Sequence, residues 1–247
     1  MFNNLQGQPV PASQFLIQND GNWQKRDTSD IFDNRTVIVF ALPGAYTPTC
    51  SSTHVPRYNE LAKTFSDLGV DEIVCVSVND PFVMDAWQKH QNAPNITFIG
   101  DGNGDFTDAM NMLTDKSDLA FGKRSWRYSM LVRNGVIDKM FIEPDQPGDP
   151  FEVSDAYTML KYLAPESELP ADILVVSRPG CSHCARAKTR LDDTGLRYQE
   201  IQLNREISGS GLRALSGAET VPQIFINGVC IGGADDLEQW LDIDCAA

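Results

Sequence analysis

The sequence has little of what would place a protein in a membrane or on nucleic acid. Its longest apolar run, TVIVFAL at 36–42, is far shorter than the ~20 residues of a spanning helix. The N-terminus MFNNLQGQPVPASQF has neither the basic nor the apolar stretch of a secretory signal, so the expected location is cytoplasmic. Basic residues are scarce: 20 Lys and Arg stand against 34 Asp and Glu, a formal net charge of −14. That balance argues against nucleic acid and equally against an anionic membrane surface as partners. Cysteine is sparse too. Six in 247 residues are too few for a disulfide scaffold. Only Cys181 and Cys184 form a Cys-x-x-Cys pair, and without a second pair no structural zinc site, and no metal, is expected. GDGNGD at 100–105 lacks the third glycine of a dinucleotide loop. Phe106 and Met112 stand where a calcium loop needs Gly and Glu, so the segment reads as a turn-rich loop before a helix.

What is present is core material, with 42% hydrophobic residues, and a pattern that runs twice. Residues 36–42 and 71–80 read as buried strands, and 49–65 and the stretch after Pro81 as helices. ITFIGDGNGDFTDAM reads as a short strand, a loop and a helix. Two apolar runs flank Asn134-Gly135, which predicts a type I′ hairpin, and 151–164 reads as a closing helix. APESELPAD at 164–172, with two prolines and three acids, breaks the pattern and reads as a linker. A second series follows: strand 173–177, helix from Cys181, strand 197–203, helix near 206–216, a hairpin on Asn227-Gly228, and helix 234–241. The expected fold class is α/β, two tandem domains with mixed sheets flanked by helices. Their bounds are 1–164 and 171–247, with 165–170 as the linker.

Each series carries an apolar strand, a Pro-containing turn and a cysteine opening a helix: VIVFALPGAYTPTC and ILVVSRPGCSHC. A free thiol ionises near pH 8.5 and reacts as thiolate, so a reactive sulfur needs stabilisation of its anion. A helix N-terminus supplies only about 0.3–1 kcal/mol. A hydroxyl and a cation have to supply more, and Thr47 lies three residues before Cys50.

PGAYTPTC matches the P-x-x-x-T-x-x-C signature of peroxiredoxins, and PTCSSTHVPRY with RYSMLVRNG…EPD resembles the type-5 branch, over about residues 1–163. The resemblance implies a thioredoxin fold and a peroxidatic Cys50 that attacks the peroxide O–O bond and becomes a sulfenic acid. It implies that Thr47 hydrogen-bonds the sulfur and the peroxide, that Pro43 shields the site, and that Arg127 stabilises the thiolate and the charge on the leaving oxygen. His54 is matched in the family, with no role derivable from sequence. Several type-5 members carry a resolving cysteine after EPD; here the segment is EPDQPGDPFEVSDA. Cys75, inside EIVCVSV, reads as buried. The first domain therefore resembles a one-cysteine enzyme that needs an external thiol.

In the second domain Cys181 sits at the helix start and Cys184 one turn in, which makes Cys181 the expected nucleophile and Cys184 the resolving thiol. From Arg178 to Arg190 there are four basic residues (Arg178, Arg186, Lys188, Arg190). No acid lies among them, and this local field is expected to favour thiolate and an anionic thiol. Cys-Ser-His-Cys, TVP at 220–222 and GGADD at 232–236 resemble glutaredoxin. The resemblance implies a cis Pro222 against the sulfur and glutathione held by Thr220 and Val221. It further implies Gly233, Ala234 and Asp235 at the γ-glutamyl end and Arg178 at the glycyl carboxylate. His183 adds charge near the thiols. Cys230 and Cys245 are not expected to be catalytic.

The reading that follows is a fused peroxiredoxin–glutaredoxin. It is a thiol peroxidase for hydrogen peroxide and organic hydroperoxides, with glutathione, or a modified relative, as co-substrate and no permanently bound cofactor. Self-association through the first domain is expected. The alternatives are a general thiol–disulfide oxidoreductase acting in deglutathionylation and a redox-sensing oligomer.

Overall fold

The computed structural model describes residues 2–19 and 22–244; Cys245 lies outside them. The chain divides into two compact units, Met1–Ser167 and Glu168–Ala247. No helix among the described residues is long and apolar enough to cross a membrane.

The first unit opens with an antiparallel hairpin, β1 (Gln14–Asn19) and β2 (Asn22–Asp27), and a short helix α1 (Thr28–Phe32). Strand β3 (Thr36–Leu42) follows, then a π-helical turn Cys50–His54, helices α2 (Val55–Glu60) and α3 (Ala62–Asp67), and β4 (Glu72–Ser77). After α4 (Pro81–Gln91) come β5 (Thr97–Gly100), α5 (Asp105–Ala109) and a small hairpin of β6 (Leu113–Asp115) and β7 (Lys123–Ser125). Strands β8 (Tyr128–Arg133) and β9 (Val136–Ile142) and helix α6 (Ala156–Leu163) complete it. The main sheet has the order β5-β4-β3-β8-β9. Strand β3 pairs parallel with β4 and antiparallel with β8.

Strand β3 is apolar throughout because both its faces are covered. Ile38, Phe40 and Leu42 enter the core under α2, α3, α4 and α6, whereas Val37, Val39 and Ala41 enter the core with α1 and α5. Cys75 pairs with Phe40 across the sheet and faces the first of these cores, where Cys50 also lies. Asn134 and Gly135 have φ of 48° and 76°, the positive values a type I′ turn requires at both central positions.

The expected helix over 49–65 is instead broken into three pieces. Pro56 has no N–H to give to the carbonyl four residues back, and the chain widens ahead of it: Val55 N–H reaches Cys50 O. The GDGNGD loop caps α5, with the Asp101 carboxylate accepting from Phe106 N, Thr107 N and the Thr107 hydroxyl.

The second unit contains β10 (Ile173–Ser177), α7 (Ser182–Asp193), β11 (Gln199–Gln202), α8 (Gly209–Ser216), β12 (Gln223–Ile226), β13 (Val229–Gly232) and α9 (Ala234–Asp244). This is the expected order. The sheet runs β11-β10-β12-β13, with β10 parallel to β11 and antiparallel to β12. Asn227 and Gly228 repeat the positive-φ turn, at 49° and 80°.

Glu72 ties the N-terminal hairpin to the main sheet. Arg26 of β2 donates two parallel bonds to its carboxylate (2.9 and 2.8 Å), Arg35 donates one (2.6 Å), and the Thr97 hydroxyl donates one (2.6 Å). Burial opposes ionisation of Glu72, but the bonds from Arg26, Thr97 and Arg35 outweigh it and hold the carboxyl below its ordinary range. A carboxyl depressed in the folded state contributes stability above its unfolded pKa, and that contribution fades as pH falls through the folded value. Glu72→Gln is expected to cost about 1–3 kcal/mol at neutral pH, a range set by charged hydrogen bonds with partly exposed partners. The loss should shrink in acid, below about pH 4. Urea unfolding of both proteins across pH measures this, and a deficit independent of pH would contradict it.

Candidate active sites

Cys50 is the first residue of the π-helical turn after β3 and is 0% exposed. The loop before it is held from the end of β4: the Asn79 side-chain oxygen accepts from Ala45 N (3.0 Å) and from the Ser77 hydroxyl (2.7 Å). Pro43 is buried in this loop. The Thr47 hydroxyl was expected at the sulfur; its proton goes instead to Gly44 O at 2.9 Å. The hydroxyl oxygen keeps its lone pairs, so it can accept from an O–H group. Trp87 Nε1 donates to the hydroxyl of Ser51, the residue after Cys50, at 3.2 Å, and Trp87 and Cys50 share one core. Cys75 is buried as expected. Its thiol is pushed well above the ordinary range by burial and then by the Cys50 sulfur, with Arg127 opposing.

Arg127 is 1% exposed. Its Nε and Nη2 donate to the two oxygens of Asp149, and Nη1 donates to His54 Nδ1 at 3.0 Å. The guanidinium also lies over the Phe151 ring, 5.3 Å from the centroid. The other ring nitrogen of His54, Nε2, is 3.2 Å from Ser154 O. A carbonyl only accepts, so Nε2 carries the proton and Nδ1 is the bare acceptor facing Arg127. Burial, then the Arg127 charge, hold the imidazole pKa well below its ordinary range, against the pull of the Ser154 carbonyl. Tyr58 OH also donates to Ser154 O (3.0 Å). Ser154 in turn is held by the buried Glu143 carboxylate, which accepts from Glu152 N, Val153 N, Ser154 N and the Ser154 hydroxyl. Sequence reading reached Arg127 but missed Asn79, Asp149, Phe151 and Glu143. For Glu143, Asp149 and Phe151 the only sequence signal is a run of acidic and Pro residues in a loop, and Asn79 sits in an Asn-Asp-Pro turn; both are common to ordinary turns.

In the second unit Cys181 is the N-cap of α7 and is partly exposed, whereas Cys184 is buried. Their Cα atoms are 5.2 Å apart, and the two sulfurs are bonded as a disulfide. Cys184 N donates to Cys181 Sγ (3.2 Å), the kind of contact that stabilises a thiolate at a helix start. Val221 O is 3.7 Å from the same sulfur, and the Val221–Pro222 peptide is cis. Thr220 is exposed beside it, and Gln223 Nε2 donates to Thr220 O (3.0 Å). Gly233 N donates to Asp236 (2.7 Å) at the start of α9. Ala234 is buried there, and Asp235 projects outward to bond Arg186. Cys230, in hairpin strand β13, lies 3.7 Å from the Gln223 side-chain oxygen.

The basic run along α7 is not the open positive field expected from sequence. Arg186 pairs with Asp235 and Glu238, Lys188 with Glu200 (2.9 Å), and Arg190 with Asp242 (3.6 Å). The acids come from α9 and β11, elements that pack beside α7. Arg178 and His183 remain exposed at the mouth of the site.

A buried sulfur in a turn that a buried cation grips through His54, and a partly exposed sulfur at a helix start, are arrangements for nucleophilic sulfur chemistry. The family model described as Redoxin matches residues 5–160, and the one described as Glutaredoxin matches residues 173–231. Hybrid peroxiredoxin hyPrx5 of Haemophilus influenzae is 57% identical over 239 residues, spanning 97% of this chain and 99% of that protein. The crystal structure of reduced Prx3 from Vibrio vulnificus in complex with hydrogen peroxide is 39% identical. It covers 64% of this chain and 98% of its own, with a TM-score of 0.61. The Plasmodium falciparum antioxidant protein, described as a 1-Cys peroxiredoxin, is 34% identical. It covers 65% of this chain and 99% of its own, with a TM-score of 0.63. The chain belongs to the hybrid peroxiredoxins, a redoxin domain followed by a glutaredoxin domain, both of thioredoxin fold, and is a thiol-dependent peroxidase.

Proposed function

We propose that this chain reduces hydrogen peroxide and organic hydroperoxides with glutathione, through Cys50 and then Cys181. The Cys50 thiolate attacks one peroxide oxygen, the O–O bond breaks, and a proton is taken up, leaving a Cys50 sulfenic acid and water or an alcohol. Glutathione thiol condenses with the sulfenic acid, releasing water and leaving a mixed disulfide. Cys181 thiolate takes the glutathione sulfur and Cys50 departs as thiolate. A second glutathione, or Cys184 followed by two, releases Cys181, supplies the electrons and leaves as glutathione disulfide.

The observation that carries this reading is the state of the first unit's thiols. Cys50 and Cys75 are its two cysteines, both are buried, and burial pushes the Cys75 thiol far up. Cys75 is thus a poor resolving nucleophile, and the reductant has to come from outside the domain. The fused Cys181–Cys184 pair supplies one at high effective concentration, on the millimolar scale for a short linker. Thr47 and Arg127 serve the peroxide, and Pro43 shields the sulfur. In the second unit Arg178, Thr220, Val221, Pro222, Gly233, Ala234 and Asp235 hold glutathione. A ligand ammonium at Asp235 joins an existing pair with Arg186 rather than a bare carboxylate. Self-association through the first domain is part of the proposal, supported by the exposed apolar side chains of Tyr46, Phe82 and Leu119. Sedimentation showing a monomer at micromolar concentration would reject it.

Two variants test the relay. Cys50→Ser is expected to lower peroxide consumption by at least about 1000-fold, the scale of losing a nucleophile, while glutathione exchange on a small mixed disulfide continues. Full peroxidase activity in that variant would refute the proposal. Cys181→Ser should still form one Cys50–glutathione mixed disulfide per chain, seen by mass spectrometry, with steady-state turnover lowered about 10-fold or more. Cys184→Ser should keep turning over.

A further inference from the structure

We propose that His54 and Asp149 are positioning residues for Arg127, together fixing the guanidinium against the turn that presents Cys50; this rests on Cys50 being the peroxide-reactive sulfur. A cation that is 1% exposed needs bonded partners, because an unpaired buried charge is heavily penalised. Arginine has five N–H donors. Three are committed, two to Asp149 and one to His54. Two remain, one each on Nη1 and Nη2, for charge that develops on the reacting atoms.

The two partners do different things. His54 belongs to the same π-helical turn as Cys50, four residues on, so its bond to Arg127 fastens the cation to the element that carries the sulfur. It does so as a neutral acceptor. A second carboxylate there would cancel the charge the site needs, and a protonated imidazole would face Arg127 with a donor. Asp149 fixes orientation through two parallel bonds. Its side chain is 35% exposed, against 1% for Arg127. Water therefore screens the Asp149 charge more than that of the guanidinium, and the field inside the core stays positive.

The segment that supplies Asp149 is held more firmly than a connecting loop needs. Lys116 Nζ donates to Gly148 O (2.8 Å) and lies over the Trp126 ring. Trp126 Nε1 donates to Glu143 O (2.9 Å), and Glu143 clamps 152–154. Phe151, between these anchors, lies against both His54 and Arg127. This is the stretch EPDQPGDPFEVS, notable in the sequence for its missing cysteine. Its chemistry is directed at Arg127 instead.

The test compares two reactions of Cys50 in the full chain. Peroxide attack, followed by stopped-flow fluorescence of the nearby Trp87, needs a charge acceptor for the leaving oxygen. Alkylation by iodoacetamide, at a pH where the thiolate is fully formed, does not. Asp149→Asn and His54→Gln should slow the peroxide step about 10- to 100-fold, as expected for a misplaced charge stabiliser, with alkylation changed less than about threefold. His54→Gln keeps a donor for Ser154 but loses the acceptor for Arg127. His54→Asn keeps the acceptor and should stay within about threefold of the parent in the peroxide step. Peroxide rates near the parent's in both Asp149→Asn and His54→Gln, or equal losses in both reactions, overturn the proposal. Should His54→Gln fail to fold, Asp149→Asn, at a partly exposed position, decides alone. A parent chain that forms no sulfenic acid at Cys50 refutes the underlying reading as well; if the parent forms it and the variants match the parent, only the positioning role falls.

Discussion

A guanidinium cut off from water cannot be left to itself, and the first domain is arranged around that constraint. Arg127 begins the approach to β8, on the face of the sheet that also carries Cys75 and looks toward Cys50. Its charge has to be met by Asp149, His54 and the Phe151 face. Those partners need their own supports. Ser154 O receives His54 and Tyr58, and Glu143 holds Ser154 in place. A buried polar network of this kind stabilises only when its members are satisfied. The loop after β9 therefore lies beside Arg127 at the open end of the β8–β9 hairpin, where Glu143 N bonds Arg127 O, and meets its side chain there.

The two domains solve one problem with the same local construction. A central apolar strand, buried on both faces, delivers the chain to a Pro-containing turn, and a cysteine stands where the helix begins. In the first domain the sulfur is fully buried, and its turn is tied through His54 to the Arg127 cation. In the second it is partly exposed at the N-cap of α7, bonded to a backbone N–H and lying near Val221. The same construction therefore yields two sulfurs of different accessibility, one 0% exposed and one partly exposed.

Features set by neighbours a few positions apart were legible in the chain. The two hairpins follow from Asn-Gly pairs, whose tolerance of positive φ selects the type I′ turn. The strands β3 and β4 follow from short apolar runs, and the starts of α4 and α7 from Asp80-Pro81 and from Cys181. The break after Cys50 was equally local, since Pro56 removes one helical donor, yet a periodic apolar pattern across 49–65 hides it. The basic stripe of α7 is an open field only along its own segment; its partner acids stand on α9 and β11, far off in the chain.

The sequence by itself determined the element order of the second domain, the main strands and later helices of the first, the two tandem mixed-sheet domains, and the placing of Cys50 and Cys181 at helix starts after apolar strands. Each of these depends on backbone preferences and burial patterns that act over a few residues. The sequence did not show the hairpins β1–β2 and β6–β7 or helix α1. Only the tertiary structure decided which charges are free and which are spent. His54 and Arg127 are 73 residues apart in the chain, and Arg186 and Asp235 are 49 apart. Coulomb and hydrogen-bond energies depend on distance in space, and sheet packing sets that distance.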